Sequence, residues 1–130
     1  MKPNQRLQKR NNAHQYGLTS ENLASSYMHS QGYITVHQRY KCSYGELDLI
    51  CHNSHLNTLV FVEVKARKKL PDRPIINYKQ IARTCAAAGY FLSQHPHFAS
   101  NHLRFDYIVI CRNQIALHLE NAWEYLEPAV

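Results

Sequence analysis

Two segments of this chain hold residue types that could do chemistry together. One is Gly45-Glu46-Leu47-Asp48-Leu49-Ile50; the other, separated from Asp48 by fourteen residues, is Glu63-Val64-Lys65. The second closes an otherwise apolar run that begins at Leu59. An extended strand turns successive side chains to opposite faces, so Val60, Val62 and Val64 share one face and Phe61, Glu63 and Lys65 the other. In the first segment the same rule places Leu47 and Leu49 together and sets Glu46 and Asp48 opposite them. Two such strands side by side would bring two or three carboxylates and one ammonium to a single point. Those are oxygen donors for a hard divalent cation, Mg²⁺ or Mn²⁺, with a positive charge beside it. Cleavage of a phosphodiester needs a positioned water, neutralised charge at phosphorus and a stabilised leaving oxygen, and such an ion supplies much of this. Asp48 and Glu63 would hold the ion and the Val64 carbonyl would add a backbone ligand. Lys65 would orient or deprotonate the water, or stabilise the developing charge. Glu46 is a candidate for the outer shell of the metal, or for a hydrogen bond to the turn backbone.

The plain alternative for the trio is a surface ion-pair network, which contributes little. Both strands are apolar at their other positions, however, and burying this many charges without a use is costly. The formal net charge of +6 is unevenly distributed: Lys2, Arg6, Lys9 and Arg10 precede the first acid, Glu21, and Lys65-Ala66-Arg67-Lys68-Lys69 follows directly on the candidate site. A focused acidic spot ringed by cations suits a polyanion held by its phosphates, although charge alone slightly favours a solvated surface that keeps the protein soluble. Arg67, two residues beyond Lys65 on the same strand face, Lys68, Lys69 and the i, i+4 pair Lys79 and Arg83 are the candidate phosphate contacts; a solvated face is the bland reading. The four cysteines are scattered and fit small core residues of a reducing compartment, which points to the cytoplasm. No apolar run approaches a membrane span, and the N-terminus lacks a signal-peptide apolar region. The pairs His52/His55 and His95/His97 have no cysteine at ligand spacing, which leaves zinc without a donor set. Tyr33, Tyr40, Tyr44, Tyr78 and Tyr90 read as core or rim residues rather than base-stacking platforms.

The elements that must position these groups follow from periodicity. Residues 1–16, polar and basic, read as a mobile arm, and residues 17–130 as a single domain. Thr19 or Ser20 can cap a helix in which Leu23, Ala24, Tyr27 and Met28 face inward until Gly32 stops it; Glu21 shares that face and is a further candidate ligand. Three strands follow, at 33–40, 46–51 and 58–65, joined by short loops and therefore antiparallel. A second helix over 77–93 carries Ile81, Cys85, Ala88 and Leu92 on its apolar face. Strands at 103–111 and 114–119 close the chain, the first parallel to the third strand across the helix. This is an α/β fold, a mixed sheet flanked by helices. Asp106, next to Arg104, reads as structural.

The pattern Asp-x14-Glu-x-Lys with an acid on a preceding helix resembles the PD-(D/E)xK superfamily, the restriction-endonuclease-like fold. More closely, Gly45 to Ile50, Leu59 to Arg67 and Arg104-Phe105-Asp106-Tyr107 resemble the small bacterial YraN-type family of predicted endonucleases, over about Gly17 to Trp123. The resemblance implies an αβββαβ core and metal-dependent nuclease chemistry of the Holliday-junction-resolvase kind, with Asp48 and Glu63 as metal ligands, Lys65 as the catalytic lysine and Glu21 as the helix-one glutamate. Paired symmetric cuts of that kind imply a homodimer. Leu47 stands where the superfamily has proline, and Ser20 where the family often has glycine; neither change removes a metal oxygen. The competing function is a nucleic-acid-binding scaffold that keeps the pocket but does not cut.

Overall fold

The computed structural model describes residues 19–72 and 76–125. The basic segment 1–16 and Arg73 lie outside them. A first helix, α1, includes residues 19–30, so Thr19 and Ser20 are already helical and its cap lies outside the described residues. It ends in a Schellman motif: Gly32 has φ 97°, its N–H donates to the His29 carbonyl (3.0 Å), and the Tyr33 N–H donates to that of Met28 (3.0 Å).

Then come β1 (Ile34–Cys42), β2 (Gly45–Asn53), β3 (Thr58–Arg67), α2 (Tyr78–Gln94), a 3-10 turn (Pro96–Phe98), β4 (His102–Cys111) and β5 (Gln114–Trp123). The five strands stand in chain order, with β3 parallel to β4 and every other neighbour antiparallel. The α/β class and mixed sheet are as the periodicity requires, consistent with a restriction-endonuclease-like core. No helix among the described residues is long and apolar enough to cross a membrane.

Each sheet face has its own apolar cluster. Ala24 and Met28 of α1 pack with Leu49, Val60, Val62 and Ile108. On the other face Ala87, Ala88 and Phe91 of α2 pack with Leu47, Phe61, Phe105 and Tyr107. The alternation expected for β3 therefore holds. The buried face of α2 is rotated from the expected one: Thr84, Cys85, Ala87, Ala88 and Phe91 are buried, while Ile81 and Leu92 are only half-buried. Phe91 takes the centre because its ring meets Tyr40 and Phe61 edge-on, with centroids at 5.3 and 6.2 Å.

The alanines let α2 approach closely, and Gly45 lets its first half approach the sheet. A Cβ at Gly45 would fall 2.7 Å from the Arg83 carbonyl oxygen. Gly45→Ala is therefore expected to lower stability by about 1–3 kcal/mol, read as a lower urea midpoint at unchanged m-value.

Asp106 is fully buried, and the β4–β5 register shifts across it, between Phe105 and Tyr107. Arg104 donates to it through Nε (2.8 Å) and a terminal nitrogen (2.9 Å), His118 Nε2 lies 2.7 Å away, and the Asn121 N–H donates at 3.1 Å. His118 Nδ1 lies 2.9 Å from the Tyr27 hydroxyl, which ties α1 to the far strands. Burial alone would raise the Asp106 carboxyl, but these donors outweigh it and hold it below the usual carboxylate range. The structural role expected for Asp106 follows from this cage.

Candidate active site

The site lies where β2 and β3 part. Their pairing runs from Asn53 and Thr58 to Leu49 and Val62 and stops, while β3 stays paired to β4 as far as Arg67. Beyond the last rung, Asp48 Oδ2 accepts the Val64 N–H at 2.8 Å. A residue in an extended strand aims its N–H and C=O at the same neighbour, so the Val64 carbonyl opens on the same gap.

The neighbouring strand β1 is irregular at the same level. Rungs form at Gln38/Leu49 and at Tyr40/Leu47, but not between Arg39 and Asp48, and Arg39 adopts φ 57°. A non-glycine residue in that region costs about 1–3 kcal/mol and persists only where its surroundings enforce it. Both strands roll over there. The Gln38 amide donates to Asn22 Oδ1 of α1 at 2.7 Å, while Tyr40 meets Phe91 of α2. Leu49 joins the α1 cluster and Leu47 the α2 cluster. This corrects the expectation that Leu47 and Leu49 share a face. The roll frees Asp48 to reach along the sheet toward β3 rather than out from it.

Glu63 is buried, and its Oε1 receives both Lys65 Nζ (3.0 Å) and Gln80 Nε2 (2.6 Å). Gln80 stands in the first turn of α2, where its N–H is capped by the Asn77 side chain at 2.8 Å. Gln80 is not among the residues that the sequence singles out. Its signal was the spacing Asn77-x-x-Gln80 of a helix cap and the third helical residue, whose side chain normally returns to the cap. Here it turns to Glu63.

Burial first, and the Glu63 charge second, push the Asp48 carboxyl up to about 7; the Val64 N–H and Lys65 pull the other way. Ionising Asp48 beside Glu63 is thus costly without added positive charge.

Glu21 is buried as well, and its Oε2 has an ion pair with Arg39 Nε (3.1 Å) but no hydrogen bond among the described residues. Its carboxyl is raised by burial, with Arg39 opposing and Glu63 and Glu46 adding to the rise. The strained Arg39 therefore also holds the acid of α1 within electrostatic range of the pair. Glu46 is exposed on the wall of the cleft.

The cleft has a volume of about 760 Å³ and contains Asp48, Glu63, Lys65 and Gln80, with Lys41 and Arg83 also on its walls. Of the basic residues singled out for phosphate, Arg83 alone lines it. Arg67, Lys68, Lys69 and Lys79 are exposed beyond its walls, and Arg67 donates to the neighbouring Ala66 carbonyl at 2.9 Å. Lys41, near the end of β1, is brought in by the hairpin. All four cysteines are free, and Cys51 and Cys85 are buried.

The family model described as "Uncharacterised protein family UPF0102" matches residues 20–110, which contain every carboxylate of the cleft. A UPF0102 protein of Rhodopseudomonas palustris is 39% identical over 109 residues, 83% of this chain and 82% of its own. One of Azorhizobium caulinodans is 39% identical over 113 residues, 86% of this chain and 85% of its own. One of Nitrobacter winogradskyi is 35% identical over 109 residues, 83% of this chain and 91% of its own.

Proposed function

We propose, from the premise that this chain belongs to Uncharacterised protein family UPF0102, that it is a metal-dependent endonuclease hydrolysing phosphodiester bonds of DNA, branched or structured DNA included. One observation carries the reading: Asp48 and Glu63 meet beside Lys65 in an open cleft, at a gap in the sheet, in mutual repulsion that a cation would relieve.

The residues fit Mg²⁺ or Mn²⁺. Among the described residues no three His, Cys, Asp or Glu side chains gather closely enough to hold an ion alone. Mg²⁺, however, is commonly held by one or two carboxylates, with waters and substrate phosphate oxygens completing the shell. Asp48 and Glu63 would be those carboxylates, with the Val64 carbonyl as a backbone donor and Glu21 and Glu46 acting at longer range. The ion, when bound, neutralises charge at the phosphate and acidifies a water.

The protein's own groups do the rest. Lys65, positioned by its contact with Glu63, sets an ammonium against the charge that develops at phosphorus. Gln80 fixes the orientation of Glu63 from the helix and is a positioning residue. Arg83 and Lys41 hold flanking phosphates from the cleft walls. Free cysteines suit a cytoplasmic setting.

The test is strand cleavage of duplex, single-stranded, flapped and four-way-junction DNA with and without Mg²⁺ or Mn²⁺. Cleavage that requires metal and falls at least about 100-fold in Lys65→Ala is expected. Salt-sensitive binding with no cut on any substrate would overturn the reading in favour of a nucleic-acid-binding scaffold.

A further inference from the structure

The β1–β2 hairpin turns on two residues, Ser43 and Tyr44, between the paired Cys42 and Gly45. Tyr44 is 58% exposed and lines the same cleft as Asp48, Glu63 and Lys65. Its ring is backed by Tyr90 of α2, with centroids 5.6 Å apart and planes at 47°, and Tyr90 is itself 39% exposed. The tip is fixed from beneath, because Gly45 abuts the Arg83 carbonyl on that same helix.

Lys41 and Arg83 line the same cleft, and neither has a carboxylate at ion-pair distance among the described residues. The cleft therefore offers a braced, open aromatic ring together with two cations that are in no ion pair among the described residues. That is the complement of a nucleotide whose base is out of the helix: phosphates to the cations, base face to the ring. An intact duplex keeps its base faces stacked against one another and has none to offer.

We propose that Tyr44, buttressed by Tyr90, is a stacking platform for an unpaired base, and that the DNA strand entering the site is single-stranded or locally unpaired there. The proposal rests on the nuclease reading above and names its substrate class.

The test is fluorescence titration without divalent metal, using DNA that carries 2-aminopurine in a single strand, at a gap, or inside a blunt duplex. Wild-type protein should quench the unpaired probe. Tyr44→Ala should bind the single strand and the gap about 5- to 100-fold more weakly, Tyr44→Trp should restore binding, and duplex affinity should be the same in all three. Equal affinity of wild type and Tyr44→Ala for unpaired DNA overturns the platform. So does Tyr44→Trp binding no better than Tyr44→Ala, which would assign the loss to the hairpin fold. Metal-dependent cleavage is scored separately: cutting of every DNA form alike by wild type and Tyr44→Ala removes the platform and leaves the nuclease reading. Tyr44-dependent quenching without cleavage of any form keeps the platform and removes that reading. Failure to bind any DNA removes both.

Discussion

Asp48→Asn is expected to make the metal-free protein more stable while abolishing the nuclease activity proposed above. The amide keeps an oxygen for the Val64 N–H but carries no charge for Glu63 to repel. The wild-type carboxyl has its folded value raised to about 7 from an ordinary value of 3.8. Between those two values the folded chain binds more protons than the unfolded one, so stability falls as pH rises through that window. At pH 8 the variant should exceed metal-free wild type by roughly 1–3 kcal/mol, and at pH 4 the two should nearly coincide. Added Mg²⁺ should raise the wild-type melting temperature and leave that of the variant unchanged, since an ion that binds only the folded chain stabilises it by mass action. Cleavage should fall at least about 100-fold. Thermal melts at the two pH values, with and without Mg²⁺, decide the matter; a variant less stable than wild type at pH 8 would mean that the carboxylates do not oppose each other.

Asp106→Ala should have the largest effect on stability. It strips the buried counter-charge from Arg104, leaving it only Glu120 at 3.9 Å, removes the acceptor beside His118 and orphans the Asn121 N–H, all next to a fully buried position. Breaking a buried ion pair on one side costs about 3–5 kcal/mol, and a loss of that size is expected in urea denaturation at pH 7. Because the folded carboxyl lies below its usual range, its stabilisation is complete above the ordinary carboxylate value and fades as pH falls toward acid. The difference between wild type and Asp106→Ala should therefore shrink below about pH 4. A loss under about 1 kcal/mol at pH 7 would show the cage to be incidental.

Much of this was legible in the chain. Period-two alternation in β3 correctly put Glu63 and Lys65 on one face, and the element order follows from strand and helix periods together. What escaped was geometry that no period encodes. Arg39 carries no glycine-like signal for its left-handed backbone, yet its φ of 57° breaks the alternation at Leu47 and Asp48. Gln80 looks like an ordinary cap partner until the third dimension sets it against Glu63. Lys41 and Tyr44 gain meaning only from the hairpin that swings them over the cleft, whereas Arg67 to Lys69, conspicuous in the sequence, stay beyond its walls.

The parting of β2 from β3 has one more consequence. Because the vacancy between them comes from a kinked main chain, trimming a side chain on its border leaves the doorway standing. Variants that lose a side chain of the cleft should thus superimpose on the parent, the opening enduring in each.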